Sequence, residues 1–311
     1  MNSRRDFIVS RQSDTSQIRA QTARETLEII DKGGYYNDHK EWVGLGSSID
    51  HCVKNTRLYS PEDFSKIKDY ASQKLASRKS ASNASEISQL KDRVLEIALE
   101  STLAAANRLL QLGYHPVCLN FASAKNPGGG FLKGSGAQEE SLSRASALYA
   151  SISRQKEYYR QNKQYSSALY TDHMIYSPQV PVFRDDQDRL LKKPYQVAFI
   201  TAPAVNAGVV RSKEPDNIHL IEETMVERIQ KIICLAVYHG HSAIVLGAFG
   251  CGVFKNDPEK VAEYFHRCLF DVDEVGELGY LFDKIVFAIL ARSKNSPYTT
   301  FKRSLIADQA Y

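Results

Sequence analysis

The sequence predicts an α/β fold in which one sheet is covered by helices on both faces. Two observations carry this. Four short stretches, Pro116–Phe121, Tyr195–Thr201, Ser242–Phe249 and Lys284–Leu290, are apolar almost throughout. Strands buried on both faces have that composition. Between them lie longer stretches whose apolar residues recur at three- and four-residue steps, so strand and helix alternate along the C-terminal two-thirds of the chain.

The elements follow in order. Asp14 to Lys32 reads as a helix, capped by Ser13 or Asp14 and stopped by Gly33-Gly34. Tyr35-Tyr36 and Trp42 to Leu45 form a short hairpin about Asn37-Asp38. Ser60-Pro61-Glu62-Asp63 opens a helix, with Ser60 as cap and Pro61 in the first turn. Gln73 to Ser85, rich in Ser, Lys and Ala, reads as a solvated loop or helix end. Ile87, Leu90, Val94 and Ile97 suggest one long helix over 87–112, ended by Gly113. A helix from about Ala137 follows the first apolar strand. Tyr149 to Lys193 is tyrosine-rich and irregular, with a hairpin over Val182–Leu191 whose tip is acidic. Asp is a common turn residue for local reasons, so that tip reads as a turn and not as a cation site. Ile218 to Tyr238 is helical, and another helix starts at Pro258. The division expected is a helical extension over 1–113, a core over 114–295 and a tail over 296–311.

Composition excludes some functions. The 311 residues carry a formal charge of +4 with no basic tail, so charge alone implies no nucleic-acid partner. Cys52, Cys118, Cys234, Cys251 and Cys268 are scattered without CxxC spacing, which points to reduced thiols in a cytoplasmic protein. His115, His173, His239 and His241 show no ligand spacing, so no metal is expected. No apolar run reaches transmembrane length, and the N-terminus lacks a signal h-region.

The chemistry concentrates in Asn126-Pro-Gly-Gly-Gly-Phe-Leu-Lys-Gly-Ser-Gly-Ala-Gln-Glu-Glu140. Gly128–Gly130 departs from both the P-loop and dinucleotide-binding patterns. It nevertheless follows a strand and precedes a helix, where backbone N–H groups can approach a phosphate or sugar. A second glycine turn, Gly250-Cys251-Gly252, also follows a strand and precedes a helix, so both turns belong on one rim of the sheet, where ligands of such folds bind. Ser135-x-x-Gln138 has the form of a capping box, which puts Glu139 and Glu140 in the first helical turn. They would suit the helix dipole there, and Glu140 could pair with Arg144 for about 0.3–0.5 kcal/mol. Glu139, however, shares the stripe of Leu142, Ala145, Tyr149 and Ile152 and heads inwards. A lone carboxylate there needs a partner. Neighbouring helical residues diverge by ~100°, so one acid/base and one positioning carboxylate fit better than a matched pair across one bond. Cys251 is discounted as a nucleophile, because no His flanks it.

These segments together resemble the microbial-type poly(ADP-ribose) glycohydrolases (PARG), a branch of the macrodomain fold. The signature is a glycine triplet followed by Gln-Glu-Glu, here Gly128–Gly130 and Gln138-Glu139-Glu140. Asn55–Tyr59, Asn120–Ala124, Arg144–Tyr149, Tyr176–Asp186, Thr201–Ala207 and Gly247–Phe254 add to it, so the resemblance spans residues 15 to 295. It implies a three-layer α/β/α sandwich with a mixed sheet. It implies hydrolysis of ribose–ribose bonds in poly(ADP-ribose), with Glu140 as general acid/base and Glu139 holding ribose hydroxyls. Asn126, Gly128, Gly129, Gly130, Phe131, Gln138, Asn206, Gly250, Cys251, Gly252, Val253 and Phe254 would contact ADP-ribose. No cofactor is implied, and the carriers of the polymer would be modified protein or nucleic acid. A monomer with no membrane partner is expected. The alternatives are a mono-ADP-ribosyl hydrolase and a non-catalytic ADP-ribose-binding module.

Overall fold

The computed structural model describes residues 3–80, 91, 94–271, 276–290 and 296–306, with side chains from residue 15 onward. Its centre is a seven-stranded mixed sheet in the order β3-β6-β7-β5-β8-β9-β4. The strands are β3 (Arg57–Tyr59), β4 (Leu95–Ala98), β5 (Pro116–Phe121), β6 (Met174–Arg184), β7 (Leu190–Ala202), β8 (Ala243–Leu246) and β9 (Lys284–Ala288). The five strands from β7 to β4 run parallel, and β6 and β3 are antiparallel at one edge. A separate hairpin pairs β1 (Gly34–Tyr36) with β2 (Trp42–Gly44).

The apolar strands are buried on both sides because alternate residues enter different cores. Val117, Leu119, Ile200, Ile244 and Phe287 face the helices Phe64–Ser80, Leu220–Tyr238, Pro258–Phe270 and Pro297–Ile306. Cys118, Phe199, Val245 and Val286 face the helices Gly46–Asn55, Thr102–Gln111 and Gln138–Ala145. The result is the expected three-layer sandwich. Each fully buried aromatic or branched aliphatic side chain contributes about 1.5–3 kcal/mol, so the parallel centre, apolar on both faces, anchors the fold.

Four expectations change. The first helix runs from Ser3 to Lys32, so neither Ser13 nor Asp14 caps it. The helix after Ser60 continues to Ser80 and takes in much of the expected solvated stretch. Ile87 and Leu90 lie outside the described residues, but the single long helix is replaced by β4 and a separate helix, Thr102–Gln111, capped by Ser101. β4 sits at the sheet edge, where Glu96 accepts from Arg108 and pairs with Lys284. Its half-exposed residues blur a two-residue period into a helical one. The irregular stretch after Tyr149 holds the helix Lys156–Gln164 and the eleven-residue β6. β3 and β4 carry residues from before position 114 into both edges of the sheet.

One buried cation fixes the loop that leads into β6. Arg228 is fully buried. It donates to Asp172 at 2.8 Å and to the carbonyls of Leu169, Tyr170 and Pro203. Lys231 donates to the same carboxylate at 2.6 Å. Burial alone would raise the Asp172 carboxyl, but Arg228 and Lys231 outweigh it and hold it below its ordinary value. Arg228→Leu should cost about 3–5 kcal/mol in urea denaturation, because it leaves three carbonyls without a donor and removes one of the two cations that hold the Asp172 carboxylate. A loss below about 1 kcal/mol would mean that other contacts hold this loop.

Candidate active site

The site begins where β5 runs out. The amide of Phe121, its last residue, donates to the Gln138 side chain at 2.9 Å, and Gln138 donates to the Leu119 carbonyl at 2.8 Å and to Thr102 at 3.1 Å. Gln138 thus ties the helix start to the strand end. Its polar atoms are engaged within the protein, so it acts as a strap, and its side chain also forms part of the wall of the site's cavity. The helix N-cap is Ala137 with no side-chain cap, so Ser135 forms no capping box.

That strap aims the next two residues. Glu139 is only 3% exposed, as its place on the apolar stripe suggested. Its carboxylate accepts from the Ser123 amide at 2.7 Å and from Asn120 Nδ2 at 3.4 Å. Burial, and secondarily the neighbouring Glu140 charge, raise its pKa to about 8 against hydrogen bonds that lower it. Glu140 is half-buried, and its Oε1 accepts from the Gly130 amide at 3.0 Å. Among the described residues its Oε2 has no hydrogen-bond partner. Arg144 does not pair with Glu140: it donates to the Ser135 carbonyl and Ser141, and its Nε lies 3.8 Å from Asp188.

Gly129 explains how adjacent residues meet despite their divergence on the helix. Its φ is +58°, and a Cβ there would lie 2.5 Å from Glu140 Oε1 and 3.2 Å from Glu139 Oε2. The two carboxylates therefore converge on one glycine, in unlike surroundings. The sealed one is raised; the other keeps an oxygen unclaimed.

The second loop follows β8. Gly250 has φ +73°, and a Cβ would meet Ala204 and Asn256 at 2.5 and 2.6 Å. Asn256 closes the turn by donating to the carbonyls of Val205 and Gly250. Asp257 caps the helix behind it through the Glu259 amide. Because β5 and β8 are parallel neighbours, the two loops share the rim. They enclose a cavity of about 1190 Å³ whose wall includes Asn126, Gly129, Gly130, Glu139, Glu140, Gly250, Gly252, Val253 and Phe254. That is larger than the roughly 300–1,000 Å³ usual for small ligands.

Phe131 also belongs to that wall, and it is buried against the Tyr149 ring, 4.8 Å between centroids, beneath the glycine loop. Gly128 packs towards Phe131 and Ser143 and lies outside the cavity wall. Asn206 caps the helix Ala207–Lys213 by accepting from Val209, and it too lies outside the wall. The Cys251 thiol is pushed up to about 12, mainly by burial, and makes a long contact to the Phe249 carbonyl. A thiol raised in this way supplies little thiolate near neutral pH. The acidic hairpin tip is a turn: Asp185 accepts from the Gln187 and Arg189 amides.

Sequence reasoning missed Asn120. It is fully buried, bonds Glu139 and Thr201, and leaves its Oδ1 without a partner. The available signal was a polar residue inside an otherwise apolar strand, one step from its end. Among the described residues no group of three His, Cys, Asp or Glu gathers to hold a metal, and no helix is long and apolar enough to cross a membrane.

The Glu139 environment has a pH signature. A folded-state pKa near 8 against 4.5 means that the native chain binds more protons than the unfolded one between those values. Stability from this group is full below about pH 4.5 and falls as pH rises through the window to 8. At about 1.4 kcal/mol per pH unit, the loss is at most roughly 5 kcal/mol. Glu139→Gln should flatten that fall in thermal melts taken across the window. Parallel wild-type and variant curves would show the carboxyl ionised throughout.

Residues 23–185 match the family model of the microbial-type PARG catalytic domain. No curated protein matches the chain. Among solved structures, a poly(ADP-ribose) glycohydrolase from Thermomonospora curvata, bound to the inhibitor ADP-HPD, is 39% identical with a TM-score of 0.80 over 92% of this chain and 99% of that one. The Deinococcus radiodurans glycohydrolase in complex with ADP-ribose is 38% identical with a TM-score of 0.75, over 85% and 99%.

Proposed function

Because this chain belongs to the microbial-type PARG family, we propose that it hydrolyses the ribose–ribose bonds of poly(ADP-ribose) and releases ADP-ribose. One observation carries the reading: two carboxylates converge at Gly129 on the wall of a large cavity that a second glycine loop completes. A module that only binds has no need of a carboxylate with an unclaimed oxygen.

The roles follow from the surroundings. Glu140 is the general acid/base. It gives its proton to the oxygen bridging two riboses as the bond to the anomeric carbon breaks. It then takes a proton from the water that attacks that carbon. Its other oxygen stays on the Gly130 amide, which fixes its direction. By pKa alone Glu139 would be the candidate acid. Its hydrogen bonds decide against it: although it reaches the cavity wall, its oxygens already accept from Ser123 and Asn120, whereas Glu140 keeps one oxygen free. Protonated near neutral pH, it both donates to and accepts from ribose hydroxyls, and so positions the sugar. The backbone N–H groups of the loop after β8 suit the diphosphate, and Val253, 79% exposed, stands at the mouth beside Phe254. No step requires a cofactor.

The test is incubation with labelled poly(ADP-ribose) and, separately, with mono-ADP-ribosylated protein and nucleic acid. Release of ADP-ribose from polymer is expected. Turnover confined to the mono-modified substrates would make it a mono-ADP-ribosyl hydrolase, and binding without turnover would make it a reader.

A further inference from the structure

Part of the cavity wall belongs neither to the second glycine loop nor to the catalytic pair. It includes Arg19 of the first helix, Lys133 and Gly136, and the hairpin tip Asp185–Asp188. Arg19 is half-buried and has no ion-pair or hydrogen-bond partner among the described residues. Gly136 makes room for its guanidinium, since a Cβ there would lie 2.5 Å from Arg19 Nη1. Arg144 lies in the fields of both Arg19 and Glu140, which places the free guanidinium in the acid's neighbourhood.

The acidic residues of this wall are mostly spoken for. Glu100 is paired with Arg108 at 2.5 Å, Asp185 with Arg189 at 2.7 Å, and Asp188 lies 3.8 Å from Arg144. Asp186 accepts from Ser101. Arg19 and the exposed Lys133 carry no such compensation. An unpaired guanidinium held in a shaped recess suits a phosphate, which it can meet with two parallel hydrogen bonds.

We propose that Arg19, assisted by Lys133, forms a leaving-side subsite that binds the diphosphate of the unit from which ADP-ribose is cut. The proposal rests on the hydrolase reading above. In the polymer the bridging oxygen belongs to the ribose of that neighbouring unit, and its diphosphate hangs only a few bonds away. The glycine loops hold the unit that is released; Arg19 holds the one that is left behind. This grip adds nothing to the affinity for the free product.

Three proteins test this: the wild type, Arg19→Gln and Arg19→Lys. Each is assayed on poly(ADP-ribose) and on an aryl glycoside of ADP-ribose, which carries a small phenol on the anomeric carbon in place of a second unit, and ADP-ribose affinity is measured by calorimetry. Arg19→Gln should lose about tenfold or more in kcat/KM on polymer, the range of one charged hydrogen-bonded contact. It should keep aryl glycoside turnover and ADP-ribose affinity within about twofold, and its polymer rate should depend less steeply on salt. Arg19→Lys should recover part of the loss. Equal losses on polymer and aryl glycoside would mark Arg19 as structural and overturn the subsite, as would unchanged polymer turnover. A wild type that cleaves the aryl glycoside but no polymer would overturn the polymer-hydrolase reading itself, and the subsite with it.

Discussion

Glu140→Gln should bind ADP-ribose as the native protein does and cleave poly(ADP-ribose) about 10²–10⁴-fold more slowly. The amide keeps the shape of the side chain, and its oxygen can still accept from the Gly130 amide, which meets the carboxylate at 3.0 Å. What it loses is the proton. Without an acid the bridging oxygen leaves as an alkoxide, and without a base the water attacks undeprotonated; both steps rise in energy together. The loss should appear in kcat and kcat/KM alike, because the interaction is made only in the transition state. Glu139→Gln should differ in kind: it also slows turnover, through misplacement of the ribose. The measurements are steady-state kinetics on polymer and calorimetry with ADP-ribose. Near-native turnover by Glu140→Gln would move the acid to Glu139, whose raised pKa fits that role, and activity in both variants would leave the pair as dipole complements of the helix.

The parallel centre of the fold was legible because burial on both faces writes itself into composition. Every position of β8, for example, must be apolar, since Ala243 and Val245 enter one core and Ile244 and Leu246 the other. Edge strands carry no such mark. β4 holds Glu96 for an ion pair that exists only once Arg108 and Lys284 arrive from distant sequence. The same distinction divides the site. Both glycine turns, and the inward course of Glu139, are local consequences of strand, turn and helix phase. The convergence of the carboxylates depends on the path of the Gly129 loop, and the reach of Arg19 depends on a helix more than a hundred residues earlier in the chain. Asn206 shows the reverse case. Its place beside the motif suggested ligand contact, but it lies outside the cavity wall and caps a helix, as polar residues at element ends commonly do, whereas Gln138 tethers the helix start and still lines that wall.

Gly129→Val should abolish most activity, and Gly252→Val should not, although both glycines line the same cavity. At Gly129 the backbone has φ +58°, a conformation that costs a β-branched residue on the order of 1–3 kcal/mol. The new Cβ would also stand 2.5 Å from Glu140 Oε1, closer than any real contact, so the carboxylate must swing away from the Gly130 amide. A displacement of this kind costs about 10²-fold in rate even where the chemistry is otherwise intact. Turnover should fall by that much or more, and the variant should melt at lower temperature. At Gly252 a Cβ meets nothing within 4 Å and φ is not in the left-handed region, so the fold and the acid stay in place. Any loss there should fall on ADP-ribose affinity, because the added side chain stands in the space that the diphosphate needs. Gly129→Ala separates the two costs at Gly129, since it keeps the contact with Glu140 while easing the branched side chain. Wild-type kcat in Gly129→Ala would mean that Glu140 can act from a displaced position and that the glycine serves the turn alone.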